Sequence, residues 1–310
     1  MTAAPLRTRS RAVEGWAWAT LAANAVIILT GALVRLTGSG LGCPTWPRCT
    51  TDSFVPHSEL GVHGVIEFSN RMLTYVLIAV VVATFVVVWR WAGSTRSLRW
   101  HAGLIAAGVP LQGVIGGISV LTRLNPWVVA LHLVLSMALV AASTWLLLRV
   151  RATGRPAGAA PNAGLVARRL AVATYAVTWV VVWLGTVVTG SGPHAGDVDA
   201  PRNGLAPETT SHVHAASVYV LLALTLGLCL VVRRGVLARA ARVLLVVELA
   251  QGVIGFVQFY TGLPITVVAL HLVGASLLVA AATAVLVLAV SPRPADDSGA
   301  RPSRRERASV

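Results

Sequence analysis

The chain contains no lysine; all 25 of its basic residues are arginine. It is also poor in acids, with 11 in 310 residues, and in cysteine, with three. Charged residues make up only 12% of the sequence against 56% hydrophobic, and the mean hydropathy is +0.76. Those shortages exclude a soluble globular domain, whose charged fraction is about a quarter. A net charge of +14 raises the question of a nucleic-acid partner. The charges are separated by apolar runs of about 20 residues, which argue for a bilayer and its lipids and against nucleic acid. The missing lysine reads as genome composition rather than function.

What is present is a succession of apolar segments long enough to cross a bilayer. Eight spans are expected, near 15–36, 63–89, 101–120, 127–149, 169–189, 212–232, 240–260 and 265–290. The first is too long for a cleavable signal peptide and is expected to remain as a helix. Arginines gather in alternate loops: Arg7, Arg9 and Arg11; Arg90, Arg96 and Arg99; Arg149 to Arg169; Arg233 to Arg242; and Arg293 to Arg307. Twenty of the 25 fall in this set. The positive-inside rule then places both termini in the cytoplasm of a multi-pass plasma-membrane protein.

The text of the chain repeats. Gln112-Gly-Val-Ile-Gly116 recurs as Gln251-Gly-Val-Ile-Gly255, and Val-Val-Ala-Leu-His-Leu-Val follows each copy at the same distance, around His132 and His271. Thr37-Gly-Ser-Gly40 matches Thr189-Gly-Ser-Gly192, and Asn70 to Tyr75 aligns with His214 to Tyr219. Four spans per copy is an even number, so the copies share one orientation, as a parallel repeat about an axis along the membrane normal. The expected fold class is an all-α membrane protein of eight transmembrane helices, arranged as two parallel-repeat four-helix bundles. The divisions are 1–150, a cytoplasmic linker 151–164 rich in Ala, Gly and Pro, 165–290, and a disordered cytoplasmic tail 291–310.

Histidines inside hydrocarbon are costly and mark functional sites by default. His132 lies six residues past Pro126 and His271 seven past Pro264, about two turns or roughly 10 Å below the outer surface. His214 sits at similar depth after Pro207. His214 and His271 thus come from two helices of one bundle at matched depth, the way a bundle holds haem between two neutral imidazoles. A single core histidine bonded to a neighbouring helix is the bland alternative. Zinc fits less well, because no Cys or carboxylate shares that depth to complete four ligands.

The first half has Asn70 where the repeat puts the partner of His214. One bundle is therefore expected to hold a six-coordinate haem and the other a less saturated iron. His63, Glu67 and Asn70 follow at helical spacing on one face of the second span. Glu67 is a candidate general base or proton acceptor, against a plain acid at a helix start. Arg71 is expected to pair with Glu67 or with a haem propionate, and Arg35 with a second propionate; both could instead snorkel to headgroups. Gln112 and Gln251 are candidates for bonds across helices or to a cofactor. Glu248, one turn before Gln251, is expected to pair with Arg242.

Cys43 and Cys49 share the first outer loop, on the oxidising side, with five residues between them. They read as a disulfide, with a redox-active or metal-relay pair as the alternative; Cys229 reads as inert core. The matching loop of the second half has no cysteine and carries His194, Asp197, Asp199, Arg202 and His212, a solvated loop or a surface metal site.

Gly31 to Gly40, the Cys43–Cys49 loop, Glu67-Phe-Ser-Asn-Arg71 and the duplicated histidine helices resemble haem A synthase, from about residue 15 to 290. The likeness is to its actinobacterial-type members. The resemblance implies an oxidoreductase that converts the methyl group of haem O to a formyl group through a hydroxymethyl stage. It implies haem B as cofactor between His214 and His271, haem O as substrate in the N-terminal bundle with His132 at its iron, Glu67 as the catalytic glutamate, and the loop disulfide at Cys43 and Cys49. It further implies haem O synthase upstream, a role in terminal-oxidase assembly, and a homo-oligomer as a compatible state. The chain departs from the family at Asn70, where many members have histidine, and at Ala215, often arginine; His63 is the candidate replacement ligand. The rival reading is a b-type membrane cytochrome that only transfers electrons. A transporter ranks lowest, since Gly and Pro fall mostly at span ends.

Overall fold

The structure is a computed structural model that describes residues 10–153 and 163–290. The expected tail 291–310 and most of the expected linker 151–164 lie outside the described residues. The described chain is helical throughout apart from its loops. The helices are α1 Arg11–Leu36, α2 Gly61–Arg90, α3 Arg96–Leu121, α4 Pro126–Ala152, α5 Leu165–Ser191, α6 Pro207–Val231, α7 Gly235–Tyr260 and α8 Ile265–Val290. A short 3-10 turn, Ser58–Leu60, precedes α2. All eight helices are long and apolar enough to cross a membrane, and the protein is a multi-pass membrane protein.

Most helices run several residues past their expected inner ends. The extra turns carry arginines, and those of α1 and α3 are capped by side chains. Ser10 Oγ accepts from the Val13 amide and Thr95 Oγ1 from the Leu98 amide, each meeting an otherwise unpaired N–H of a first turn. Pro126 and Pro207 open α4 and α6, where a missing N–H costs nothing. One proline departs from the span-end pattern. Pro110 lies inside α3, beside the cavity described below.

Packing follows from where the buried residues fall. One apolar cluster joins α1 to α4 through Val13, Leu77, Ile105 and Leu146. A second joins α5 to α8 through Ala171, Leu228, Leu244 and Val285. A third lies between α1, α4, α5 and α8, around Ile28, Met137, Val182 and Val279. Lipid tails are as apolar as leucine, so helix contacts here draw on close packing and buried hydroxyls instead. Thr20 and Thr84 hydroxyls are 2.7 Å apart, and Asn24 donates to Ser143 Oγ at 3.4 Å. Large side chains such as Trp100, Leu230 and Val246 face outward, as a bilayer permits.

Candidate functional site

A cavity of about 700 Å³ opens among α1 to α4 beneath the loop that joins α1 to α2. That volume is within the roughly 300–1,000 Å³ typical of ligand sites. Glu67, Asn70, Arg71, Arg35, Gln112 and His132 all line it. His63 does not. It is exposed, its Nδ1 lies 2.9 Å from Ser39 Oγ, and the chain at Gly42 presses on its carbonyl so closely that a Cβ there would sit 2.2 Å from the oxygen.

His132 is oriented by Gln112. The Gln112 amide nitrogen donates to the His132 carbonyl at 3.0 Å and to Ser136 Oγ at 2.9 Å. With the nitrogen so engaged, Gln112 Oε1 faces His132 Nδ1 at 2.9 Å. An amide oxygen only accepts, so the proton sits on Nδ1 and the lone pair on Nε2. This is the usual arrangement of a metal-binding imidazole, whose second nitrogen donates to an oxygen. The expectation that Gln112 bonds across helices is met, and its partner is the candidate ligand itself. Asn70 Oδ1, on the opposite wall, is buried without a partner.

Glu67 is 5% exposed and fully engaged. Its Oε2 accepts from the Cys43 amide and its Oε1 from Arg71, one helical turn on. The Arg71 guanidinium also donates to the carbonyls of Cys43 and Thr45, each at 3.0 Å, and to that of Arg48 at 3.2 Å. The pair therefore clasps the first outer loop, in which Cys43 and Cys49 form a disulfide. Trp46, from that loop, lies against α3 at Gly117, where a Cβ would come within 2.3 Å of the indole. Only glycine admits that contact. Sequence reasoning passed over Trp46 and Gly117, although the Gly116-Gly117 doublet beside a candidate ligand was the available signal.

Arg35 does not reach toward headgroups. It donates to the carbonyls of His194 and Thr189, at 2.8 Å for the latter, and so ties the outer end of α1 to the second half. His194 Nε2 in turn lies 2.9 Å from the Leu263 carbonyl, and Arg202 bonds Ala200 and Pro193 carbonyls. Among the described residues no group of three or more His, Cys, Asp or Glu is placed to hold a metal ion.

In the second half, His214 on α6 and His271 on α8 are electrostatic neighbours. Nδ1 of each is buried and without a hydrogen-bond partner. Each ring lies against a glycine: a Cβ at Gly185 would be 3.3 Å from His214 Cε1, and one at Gly255 would be 3.7 Å from His271 Cε1. His132 repeats the pattern against Gly116 at 3.3 Å. Glu248 takes its hydrogen bond from Thr225 Oγ1 at 2.7 Å, not from the expected Arg242, whose Nε donates to the Ala238 carbonyl.

The pattern of the family described as COX15-CtaA, cytochrome oxidase assembly protein, matches residues 14–283, which take in the cavity and His132, His214 and His271. The chain belongs to this family. It is 26% identical over 224 residues to a protein named heme A synthase from Bacillus licheniformis, covering 69% of this chain and 73% of that protein. It is 32% identical over 183 residues to the heme A synthase of Lysinibacillus sphaericus, 58% of each chain. It is 28% identical over 182 residues to that of Geobacillus kaustophilus, 57% of this chain and 56% of that one. The matched stretches of the last two thus span less than two thirds of those relatives. In this COX15-CtaA member the Glu67–Arg71 pair lines the cavity and holds the loop that carries the disulfide.

Proposed function

We propose that this protein is a haem A synthase, an oxidoreductase that takes haem O as substrate in the α1–α4 cavity and uses haem B as a resident electron carrier between His214 and His271. The observation that carries the reading is one histidine beside a porphyrin-sized cavity in one half, with a second, paired set of histidines in the other. The two halves are proposed to be parallel copies of one four-helix unit, with both termini in the cytoplasm and the cavity near the outer face of the plasma membrane.

The residues of the second half fit haem B. Two imidazoles come from α6 and α8 as electrostatic neighbours, and each ring has a glycine behind it. Haem B held there would supply one-electron transfer. His214 and His271 would fix its plane and exclude water from the iron.

In the cavity, His132 would hold the substrate iron through Nε2, with Gln112 keeping the proton on Nδ1. Conversion of a methyl group and water to hydroxymethyl releases two electrons and two protons, and conversion of hydroxymethyl to formyl releases two more of each. Glu67 is the acid at the site able to receive such protons or to position the water, and Asn70 Oδ1 offers an unused acceptor nearby. Arg71, already paired with Glu67, would hold the carboxylate in place. Haem O synthase is the expected source of substrate, and the product would pass to terminal-oxidase assembly. The electron-only cytochrome reading is less well supported, since Asn70 leaves the cavity of the first half lined by one histidine, His132.

Co-expression with a haem O source tests the proposal. The wild-type chain is expected to accumulate haem A, and Glu67→Gln to lower the haem A to haem O ratio at least 100-fold, the upper contribution of general acid–base catalysis being about 10⁴. Undiminished haem A in Glu67→Gln removes that residue from the chemistry; haem B alone in the wild-type extract removes the synthase reading.

A further inference from the structure

Glu248 lies in the interior of α7, 4% exposed, and plays no part in the chemistry above. Its Oε1 accepts from Thr225 on α6, while Oε2 is buried with no partner. The first half shows what the fold needs at this place. Shifted by the offset that superposes Gln251 on Gln112, Glu248 falls on Val109; shifted by the offset that superposes His214 on Asn70, Thr225 falls on Val81. Val81 and Val109 are both buried in one apolar cluster. Packing is thus satisfied by two valines, and the acid with its hydroxyl is an addition confined to the half that carries the histidine pair.

Glu248 shares a face of α7 with Gln251, which stands between it and the turn packed on His271. Gln251 is one turn further on, and its Oε1 is also buried without a partner. In the first half the equivalent oxygen meets His132 Nδ1, whereas His271 Nδ1 is unmatched. Seven residues separate Glu248 from Gly255, which lies against His271, so about 10 Å at 1.5 Å per residue. Across so short a path in a weakly screening interior, one added charge on an iron is felt at the carboxyl group. The ionisable neighbours are few. Arg242 is on α7 itself, Cys229 is on α6, and α8 has His271 alone.

We propose that Glu248 is a proton-binding site coupled to electron transfer in the C-terminal half: a haem held by His214 and His271 would take one electron released by oxidation of the substrate methyl carbon, the Glu248 carboxylate would bind one proton from water as it does so, and both would leave when that electron passes to an external one-electron acceptor. This rests on the haem B reading above. The proton compensates the electron, so no net charge is added inside hydrocarbon.

Redox titration of the purified haem-loaded protein across about pH 5 to 9, followed by its low-spin haem spectrum, reads this directly. The wild-type reduction equilibrium is expected to change up to tenfold per pH unit over part of that range, equivalent to 59 mV for one electron. Glu248→Gln is expected to flatten the line and Glu248→Asp to keep a slope. Infrared difference spectra of the wild type, with and without isotope-labelled glutamate, are expected to show a protonated-carboxyl band appearing on reduction. A flat wild-type line with an intact low-spin spectrum, or an unchanged slope in Glu248→Gln, overturns the proposal and leaves the haem B reading standing. Absence of low-spin haem from the wild type overturns both.

Discussion

Gln112 is the residue on which the first half turns. Its amide is spent on three contacts, and the third fixes the tautomer of His132. Replacing it with leucine preserves bulk but leaves Nδ1–H unpaired in a low-dielectric site. Gln112→Leu is expected to weaken substrate-haem binding or turnover by about 10- to 100-fold, read as the haem A to haem O ratio, with haem B content unchanged. A fall in haem B content as well would mean that the substitution disturbs the whole fold. Glu67 illustrates the converse. Its place on the His63–Asn70 face and its pairing with Arg71 one turn on accord with helical spacing, but its other partner, the Cys43 amide, comes from a loop that spacing does not describe.

At the scale of elements, the first outer loop is held to α2 by the Glu67–Arg71 clasp, to itself by the disulfide, and to α3 by Trp46 on Gly117. Gly117→Val would place a methyl-bearing carbon where the indole lies. The loop must then lift, and turnover of haem O is expected to fall severalfold or more while the low-spin haem signal from His214 and His271 persists; loss of that signal would contradict the assignment of Gly117 to the first half alone. Opening the small ring with the double change Cys43→Ser and Cys49→Ser is expected to destabilise the loop by about 2 kcal/mol through chain entropy. Limited proteolysis between Thr45 and Phe54 in intact membranes checks it, and equal resistance in both forms would show that the clasp suffices. His63 belongs here too. Periodicity put it on the Glu67 face, but the close passage of Gly42 seals the first turn of α2 from the cavity.

At the scale of the molecule, the two halves meet along α1, α4, α5 and α8 through small and medium side chains, with Arg35 stitching the outer end. Two charge-assisted bonds to carbonyls in a half-buried setting are each worth about 1.5–3 kcal/mol. Arg35→Ala is therefore expected to lower the thermal midpoint of the detergent-solubilised protein by several degrees. An Arg35→Lys protein, a compact cation without the planar fork, is expected to recover only part of the loss. No shift in either variant would mean that the apolar seam alone sets the stability of the assembly. The same arginine lines the cavity, so a role toward a propionate would appear separately, as a change in substrate-haem retention.

Sequence alone determined the spans, because a bilayer demands about 20 apolar residues per crossing and tolerates few charges within them. It also placed the three buried histidines at helical depth and made Cys43 and Cys49 candidates for pairing, since repeats and loop chemistry are written locally. Tertiary structure decided which groups meet: Gln112 with His132, Glu67 with the disulfide loop, Thr225 with Glu248, Arg35 with the opposite half. Period and hydropathy record which face of a helix is apolar. They carry no record of which neighbour that face will find, and in hydrocarbon each polar group takes whatever partner the packing brings within reach.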